Sequence, residues 1–92
     1  MTEPIPAFRP ARNISARIVD GQLIILKPGT DELLRFNEVA SFIWSILEKQ
    51  PSALSILVEA IVEEFEVDFD QAEADLSDFL TEMQAQGLIE ST

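Results

Sequence analysis

The chain has 92 residues, enough for one domain with a small core, and its formal net charge is −11 at neutral pH. It contains no cysteine and no histidine, which excludes a disulfide framework, thiol chemistry and the side chain most often used in general acid–base catalysis. No stretch approaches the roughly 18 apolar residues of a membrane-spanning helix, and residues 1–12 lack the apolar region of a signal peptide. We therefore expect a cytoplasmic protein with no membrane segment.

The N-terminal part of the chain predicts a flexible arm followed by a small sheet. Residues 1–12 carry three prolines among small and basic residues, which is typical of an arm. Asp20-Gly21 separates two apolar runs and indicates a tight hairpin turn. We predict a three-stranded antiparallel sheet whose second strand is central, because it has four consecutive apolar residues, and whose third strand is an edge. The three predicted strands cover residues 13–19, 22–27 and 32–36.

The remainder of the chain predicts three helices. The hydrophobic period changes from 2 to 3.6 at Asn37, which marks a strand-to-helix junction with Asn37 as the N-cap. Ser52 and Asp68 are the candidate N-caps of the next two helices. Residues 13–92 are therefore predicted to form a single α+β domain, winged-helix-like, with three antiparallel strands followed by three helices. The predicted helices cover residues 38–49, 53–66 and 69–86.

Charge and composition exclude several kinds of site. Residues 36–92 carry Lys49 against thirteen acidic residues, a net charge of −12, which disfavours contact with nucleic acid phosphates. Paired carboxylates such as Glu63-Glu64 fall on polar helix faces, where solvation explains them. With only three glycines, the chain has no phosphate-binding loop. We predict no catalytic residue, no metal site and no cofactor, and hence a protein that is not an enzyme.

Two segments of the chain carry a family resemblance. The sequence ELLRFNEVASFIW, residues 32–44, has Phe36-Asn37 at the junction and Ile43-Trp44 in the helix, and it is similar to the strand-to-helix segment of the PqqD-like family. Residues 61–89 resemble its second half, in which an acidic helix is followed by one that closes in Gly-Leu-Ile. Phe69 departs from the family pattern, where proline is common. The resemblance covers roughly residues 14–90.

The resemblance implies a peptide recognition element for ribosomally synthesised and post-translationally modified peptides (RiPPs). Such a module is a non-catalytic adaptor that binds the leader of a precursor peptide and presents it to a modifying enzyme, such as a radical SAM enzyme or a leader peptidase, in PQQ or other RiPP biosynthesis. It implies a monomer or weak homodimer. In the family the leader adds as a strand to the edge of the third strand, beside the third helix. The implied peptide-binding residues are Glu32, Leu33, Leu34, Arg35, Phe36, Asp75, Phe79, Glu82 and Met83.

Reasoning from the residues alone supports the same type of site, because an edge strand exposes unpaired backbone groups that a peptide strand can satisfy. The alternative is a winged-helix transcription factor or a protein-interaction scaffold, and the absence of basic residues after Lys49 argues against DNA binding. We also hypothesise that the second helix contacts the modifying enzyme, because Ile56 and Val62 lie off its predicted core stripe.

Overall fold

The computed structural model describes residues 6–92. In this range the chain forms six strands and three helices, and none of the helices is long and apolar enough to cross a membrane. The elements in chain order are β1 (Ala7–Pro10), β2 (Ala16–Val19), β3 (Gln22–Leu26), β4 (Leu33–Phe36), α1 (Glu38–Lys49), β5 (Ser52–Ala53), α2 (Leu54–Phe65), α3 (Phe69–Ala85) and β6 (Ile89–Ser91).

The predicted three-stranded antiparallel sheet is confirmed. Its strand order is β2-β3-β4, so β3 is central and β4 is an edge, as the sequence indicates. Asp20 and Gly21 join β2 to β3 with φ angles of 52° and 76°. Positive φ at both central residues is what a type I′ turn requires, and this turn matches the right-handed twist of the strands. The three helices follow this sheet, so the predicted α+β fold is also confirmed.

The start of α1 is fixed to the sheet by two polar side chains. Asn37 caps the helix as predicted, since its Oδ1 accepts the Ala40 N–H at 2.9 Å. Ser41, one turn in, is buried, and its Oγ accepts the Leu23 N–H at 2.6 Å and donates to the Asn37 carbonyl at 2.9 Å. The first turn of α1 is therefore hydrogen-bonded both to β3 and to the residue that follows β4.

A second sheet corrects the prediction for the N-terminal arm. Residues 7–10 are not an arm, because β1 pairs with β5 on one side and with β6 on the other. Pro10 costs this sheet no hydrogen bond. The bonds to β6 involve residues 7 and 11, which places Pro10 at a position where a strand makes no hydrogen bond to that neighbour. The remaining part of the predicted arm, residues 1–5, lies outside the described residues.

The pairing of β1 also corrects one predicted helix cap. Ser52 is a strand residue opposite Phe8, and the N-cap of α2 is Ala53, which makes no side-chain capping bond. The predicted cap of α3 is confirmed, since Asp68 Oδ2 accepts the Gln71 N–H at 3.2 Å. Pairing with β1 thus takes priority over the local capping preference of Ser52.

One hydrophobic core lies between the inner face of the β2-β3-β4 sheet and the three helices. Trp44, the only tryptophan, is 2% exposed and belongs to it, as the helical period predicts. The other buried members of the core are Leu23, Ile25, Ile43, Leu47, Leu57, Val58, Ile61, Ala72, Leu76, Leu80, Met83, Leu88 and Ile89.

Candidate peptide-binding site

Within residues 6–92 no strand pairs with the outer edge of β4, and this free edge presents the backbone groups of two residues. Lys27 N–H donates to the Glu32 carbonyl at 2.8 Å, and the register pairs Leu34 with Ile25. Because backbone groups alternate in direction along an antiparallel strand, residues 32, 34 and 36 face β3. The N–H and C=O groups of Leu33 and Arg35 therefore face away from the sheet, toward the position of an added strand.

The side chains of β4 lie on opposite faces of the sheet. Leu34 and Phe36 lie on the inner face, are half-buried and pack against the core. Leu33, which is 56% exposed, and Arg35 lie on the outer face. Of the strand residues predicted to bind peptide, Leu34 and Phe36 thus face the helices, whereas the other two β4 side chains do not. Glu32 precedes the strand, and its carboxylate lies 3.9 Å from Lys27 Nζ.

Strand β4 and helix α3, the two halves of the predicted site, meet at an aromatic pair. The rings of Phe36 and Phe79 contact each other edge to face, with centroids 6.2 Å apart and an interplanar angle of 81°. Asp75 and Glu82 are exposed, one turn of α3 to either side of Phe79. Met83 is 1% exposed, so its side chain packs in the core and offers no surface for a peptide.

An apolar cleft of about 320 Å³ opens beside this aromatic pair. An apolar cavity about half this size admits a benzene ring, so the cleft has room for a large apolar side chain. Three of its residues are polar, and two of them are bonded to each other, since Gln71 Nε2 donates to Asp75 Oδ1 at 2.9 Å. The cleft is lined by Asn37, Val39, Ala40, Ile43, Ile61, Phe65, Val67, Gln71, Ala72, Asp75, Leu76 and Phe79.

Most residues of the cleft are absent from the predicted site, which includes only Asp75 and Phe79 of its lining. The sequence does contain a signal for the cleft, which is the small size of two buried residues. Ala40 on α1 and Ala72 on α3 both line the cleft, at core positions where other turns of the same helices carry leucine or isoleucine. Because protein interiors are closely packed, a small side chain at a core position can leave space that a larger one would fill.

The described part of the chain offers this site no metal chemistry. No group of three or more His, Cys, Asp or Glu side chains in residues 6–92 is arranged to hold a metal ion. The two acids that flank Phe79 on α3 are bonded to amides of their own helix, since Gln86 Nε2 donates to Glu82 Oε1 at 2.8 Å just as Gln71 donates to Asp75. The site therefore combines an open strand edge, an apolar cleft and two exposed carboxylates.

Two solved structures share this fold. "TbiB1 in complex with the TbiA(beta) leader peptide" is 29% identical and superposes with a TM-score of 0.79, over 89% of this chain and 94% of that one. "Lasso peptide synthetase B1 complexed with the leader peptide" is 23% identical, with a TM-score of 0.76 over 90% of this chain and 96% of the other, and shows similarity of fold alone. No curated protein matches the chain in sequence.

The family comparison covers most of the chain. The model of the family described as coenzyme PQQ synthesis protein D (PqqD) matches residues 22–89, which extend from the first residue of β3 to the first residue of β6. This range includes the edge strand, all three helices and the whole lining of the cleft. The chain therefore belongs to the PqqD family.

Proposed function

We propose that this chain is a non-catalytic adaptor that binds the leader of a ribosomally synthesised precursor peptide by β-augmentation on β4 and presents it to a modifying enzyme. The observation that carries the proposal is the position of the free backbone groups of Leu33 and Arg35 beside an apolar cleft that begins at Phe79. Both similar structures are complexes with leader peptides, which supports the same class of ligand here.

The energies indicate that the edge and the cleft have to act together. Leu33 and Arg35 offer four backbone hydrogen bonds, each with a net contribution of about 1 kcal/mol, so the edge alone supports an affinity of about 1 mM. Burying one large apolar side chain adds about 1.5–3 kcal/mol. A leader of useful affinity therefore needs at least one large apolar residue in the cleft in addition to its strand.

The direction of the strand fixes which part of the leader reaches the cleft. β4 runs toward Asn37, which lines the cleft and begins α1. In an antiparallel complex the residues that precede the paired segment of the leader lie at this end. We propose that the leader carries its cleft-binding residue N-terminal to the paired segment, and that its paired side chains on the inner face, two residues apart, contact Leu34 and Phe36. The carboxylates of Asp75 and Glu82 favour basic residues in the leader, next to the apolar residues that contact Leu34 and Phe36.

The adaptor role places the chemistry in a partner. The chain has no histidine or cysteine, so we propose that it catalyses no step itself and that a radical SAM enzyme or a leader peptidase does so. Such an adaptor acts in the cytoplasm, where the precursor is made. A transcription factor is not favoured, because phosphate contacts need basic residues and the helical part has a net charge of −12.

Proline substitution in β4 tests the backbone part of this proposal. The Arg35 N–H faces away from β3, so Arg35→Pro removes a donor to the leader without removing a bond of the sheet. We expect Arg35→Pro to bind the leader about two- to tenfold more weakly than Arg35→Ala, which is the matched control for the lost side chain. The ligand is a synthetic leader peptide from a short precursor frame to be sought in the neighbouring genes, and its affinity is measured by calorimetry.

Amide chemical shifts in the same titration locate the ligand. We expect the largest changes at residues 33–36 and around Phe79. Equal affinity of the two Arg35 variants, or shifts confined to β2 with residues 33–36 unchanged, contradicts the proposed site. Absence of binding by the wild-type chain contradicts the proposed function.

A further inference from the structure

The outer face of the β2-β3-β4 sheet carries a patch of apolar side chains. Leu26 and Leu33 are paired across β3 and β4, and Ile24 lies two residues from Leu26 on the same face. The 26–33 pair is a non-hydrogen-bonded one, where side chains approach each other most closely. Leu33 is 56% exposed and Leu26 is 38% exposed. We name Ile24, Leu26 and Leu33 the outer patch.

Arginines flank the outer patch, on a chain that is otherwise strongly acidic. The register places Arg17 and Arg35 on either side of Ile24, and both arginines are exposed. The strands β2, β3 and β4 contain no acidic residue. Within residues 6–92 neither arginine has a carboxylate within 4.0 Å. The strands of this face are thus positive and apolar, in contrast to the helices, and the exposed acids Asp20 and Asp31 lie in the connections at the ends of the sheet.

We propose that the outer patch, with Arg17 and Arg35, is the docking surface for the modifying enzyme, and that the enzyme meets it with an apolar centre rimmed by carboxylates. The inference rests on the proposed adaptor function. The positive charges of Arg17 and Arg35 favour a partner surface that carries carboxylates around its apolar centre. A second copy docked through the same face would bring arginine against arginine, and a nucleic acid would be repelled by the helical part of the chain.

The face is small for a protein interface, and a bound leader would enlarge it. Three strands of four or five residues present roughly 14 by 14 Å, or about 200 Å². A standard protein interface buries about 800 Å² on each partner. A leader strand added to β4 would widen the same face, because its alternate side chains would lie beside Leu33 and Arg35 on the outer side. We therefore infer that the enzyme binds the adaptor with its leader more tightly than the free adaptor.

Leu26→Glu and Arg17→Glu test the docking surface without altering the leader site. Leu26 and Arg17 lie on β3 and β2, and neither contributes to the cleft or to the free edge. Ile56→Glu and Lys49→Glu are the matched controls, since Ile56 is 52% exposed on α2 and Lys49 is exposed at the end of α1. Ile56→Glu also tests the earlier hypothesis that α2 contacts the modifying enzyme. Of the two residues on which that hypothesis depended, Ile56 is exposed, whereas Val62 packs against the core.

The probes are the proteins encoded next to this chain, each purified singly and titrated with and without the leader. We expect one of them to bind at least tenfold more tightly when the leader is present. Leu26→Glu and Arg17→Glu should each weaken this binding at least tenfold and leave leader affinity within twofold of wild type. Ile56→Glu and Lys49→Glu should change neither. Circular dichroism checks that every variant is folded.

Four results would overturn the inference. Three of them are binding by none of the neighbouring proteins, weakening by Ile56→Glu with no effect of Leu26→Glu, and equal binding with and without the leader. Absence of leader binding by the wild-type chain is a separate result, because it contradicts the adaptor function itself. Wild-type leader binding with an enzyme contact insensitive to both outer-face variants contradicts only the present inference.

Discussion

Filling the apolar cleft with a larger side chain should raise the stability of the protein and weaken peptide binding. Ala72 on α3 is 4% exposed and lines the cleft, so Ala72→Leu adds three carbon atoms to a space of about 320 Å³. At about 0.8 kcal/mol for each buried carbon, the upper limit of the gain in unfolding free energy is about 2.4 kcal/mol. Strain from imperfect fit lowers this figure, and we expect a net gain of about 1 kcal/mol.

The same substitution should weaken leader binding. The new side chain occupies the volume in which we propose a large apolar residue of the leader is buried, and that burial contributes about 1.5–3 kcal/mol. We therefore expect Ala72→Leu to lower leader affinity about ten- to a hundredfold. Its melting temperature should rise by about 4–8 °C for a gain of about 1 kcal/mol in a domain of this size.

Thermal unfolding and calorimetric titration with the leader measure both effects on one sample. Ala74→Leu is the matched control, because Ala74 is exposed on the same helix and does not line the cleft. It should change neither quantity appreciably. Wild-type leader affinity in a stabilised Ala72→Leu protein would refute the proposed use of the cleft. A lower melting temperature would show that the added carbons do not fit the space we assign to them.

Three further predictions concern the core, the junction and the charge. Trp44→Ala should cost about 3–5 kcal/mol of unfolding free energy in urea titrations. Trp44→Phe should cost much less, because the buried Trp44 Nε1 has no hydrogen-bond partner in residues 6–92; equal costs would contradict this account. Ser41→Ala should cost about 1–3 kcal/mol because it leaves the Leu23 N–H without its acceptor, and an unchanged urea midpoint would argue against that bond. In a mobility-shift assay at about 0.1 M salt, where the Debye length is about 10 Å, we expect no DNA binding, and a micromolar shift would revive the transcription-factor alternative.

Local signals in the sequence determined the sheet, the helices and their junction. The Asp20-Gly21 turn, the change of period at Asn37 and the cap at Asp68 each depend on residues a few positions apart, and the structure confirms all three. The edge position of β4 also followed, because helix α1 begins directly after it. The family resemblance placed Phe36 and Phe79 in one site, but their edge-to-face contact joins two different elements and is seen only in the structure.

The tertiary structure decided what depends on residues distant in sequence. β1 forms because residues 7–10 find partners near residue 90, and Arg9 contacts Glu90 with a distance of 2.8 Å between Nε and Oε1. No local pattern encodes such a pairing. The cleft is lined by Ala40 on α1 and Ala72 on α3, at positions where other turns of these helices carry larger residues. That two residues so distant in sequence line one space follows only from the packing of the helices. The outer position of Leu33 and Arg35 likewise follows from strand register, because a shift of one residue would turn both side chains to the core.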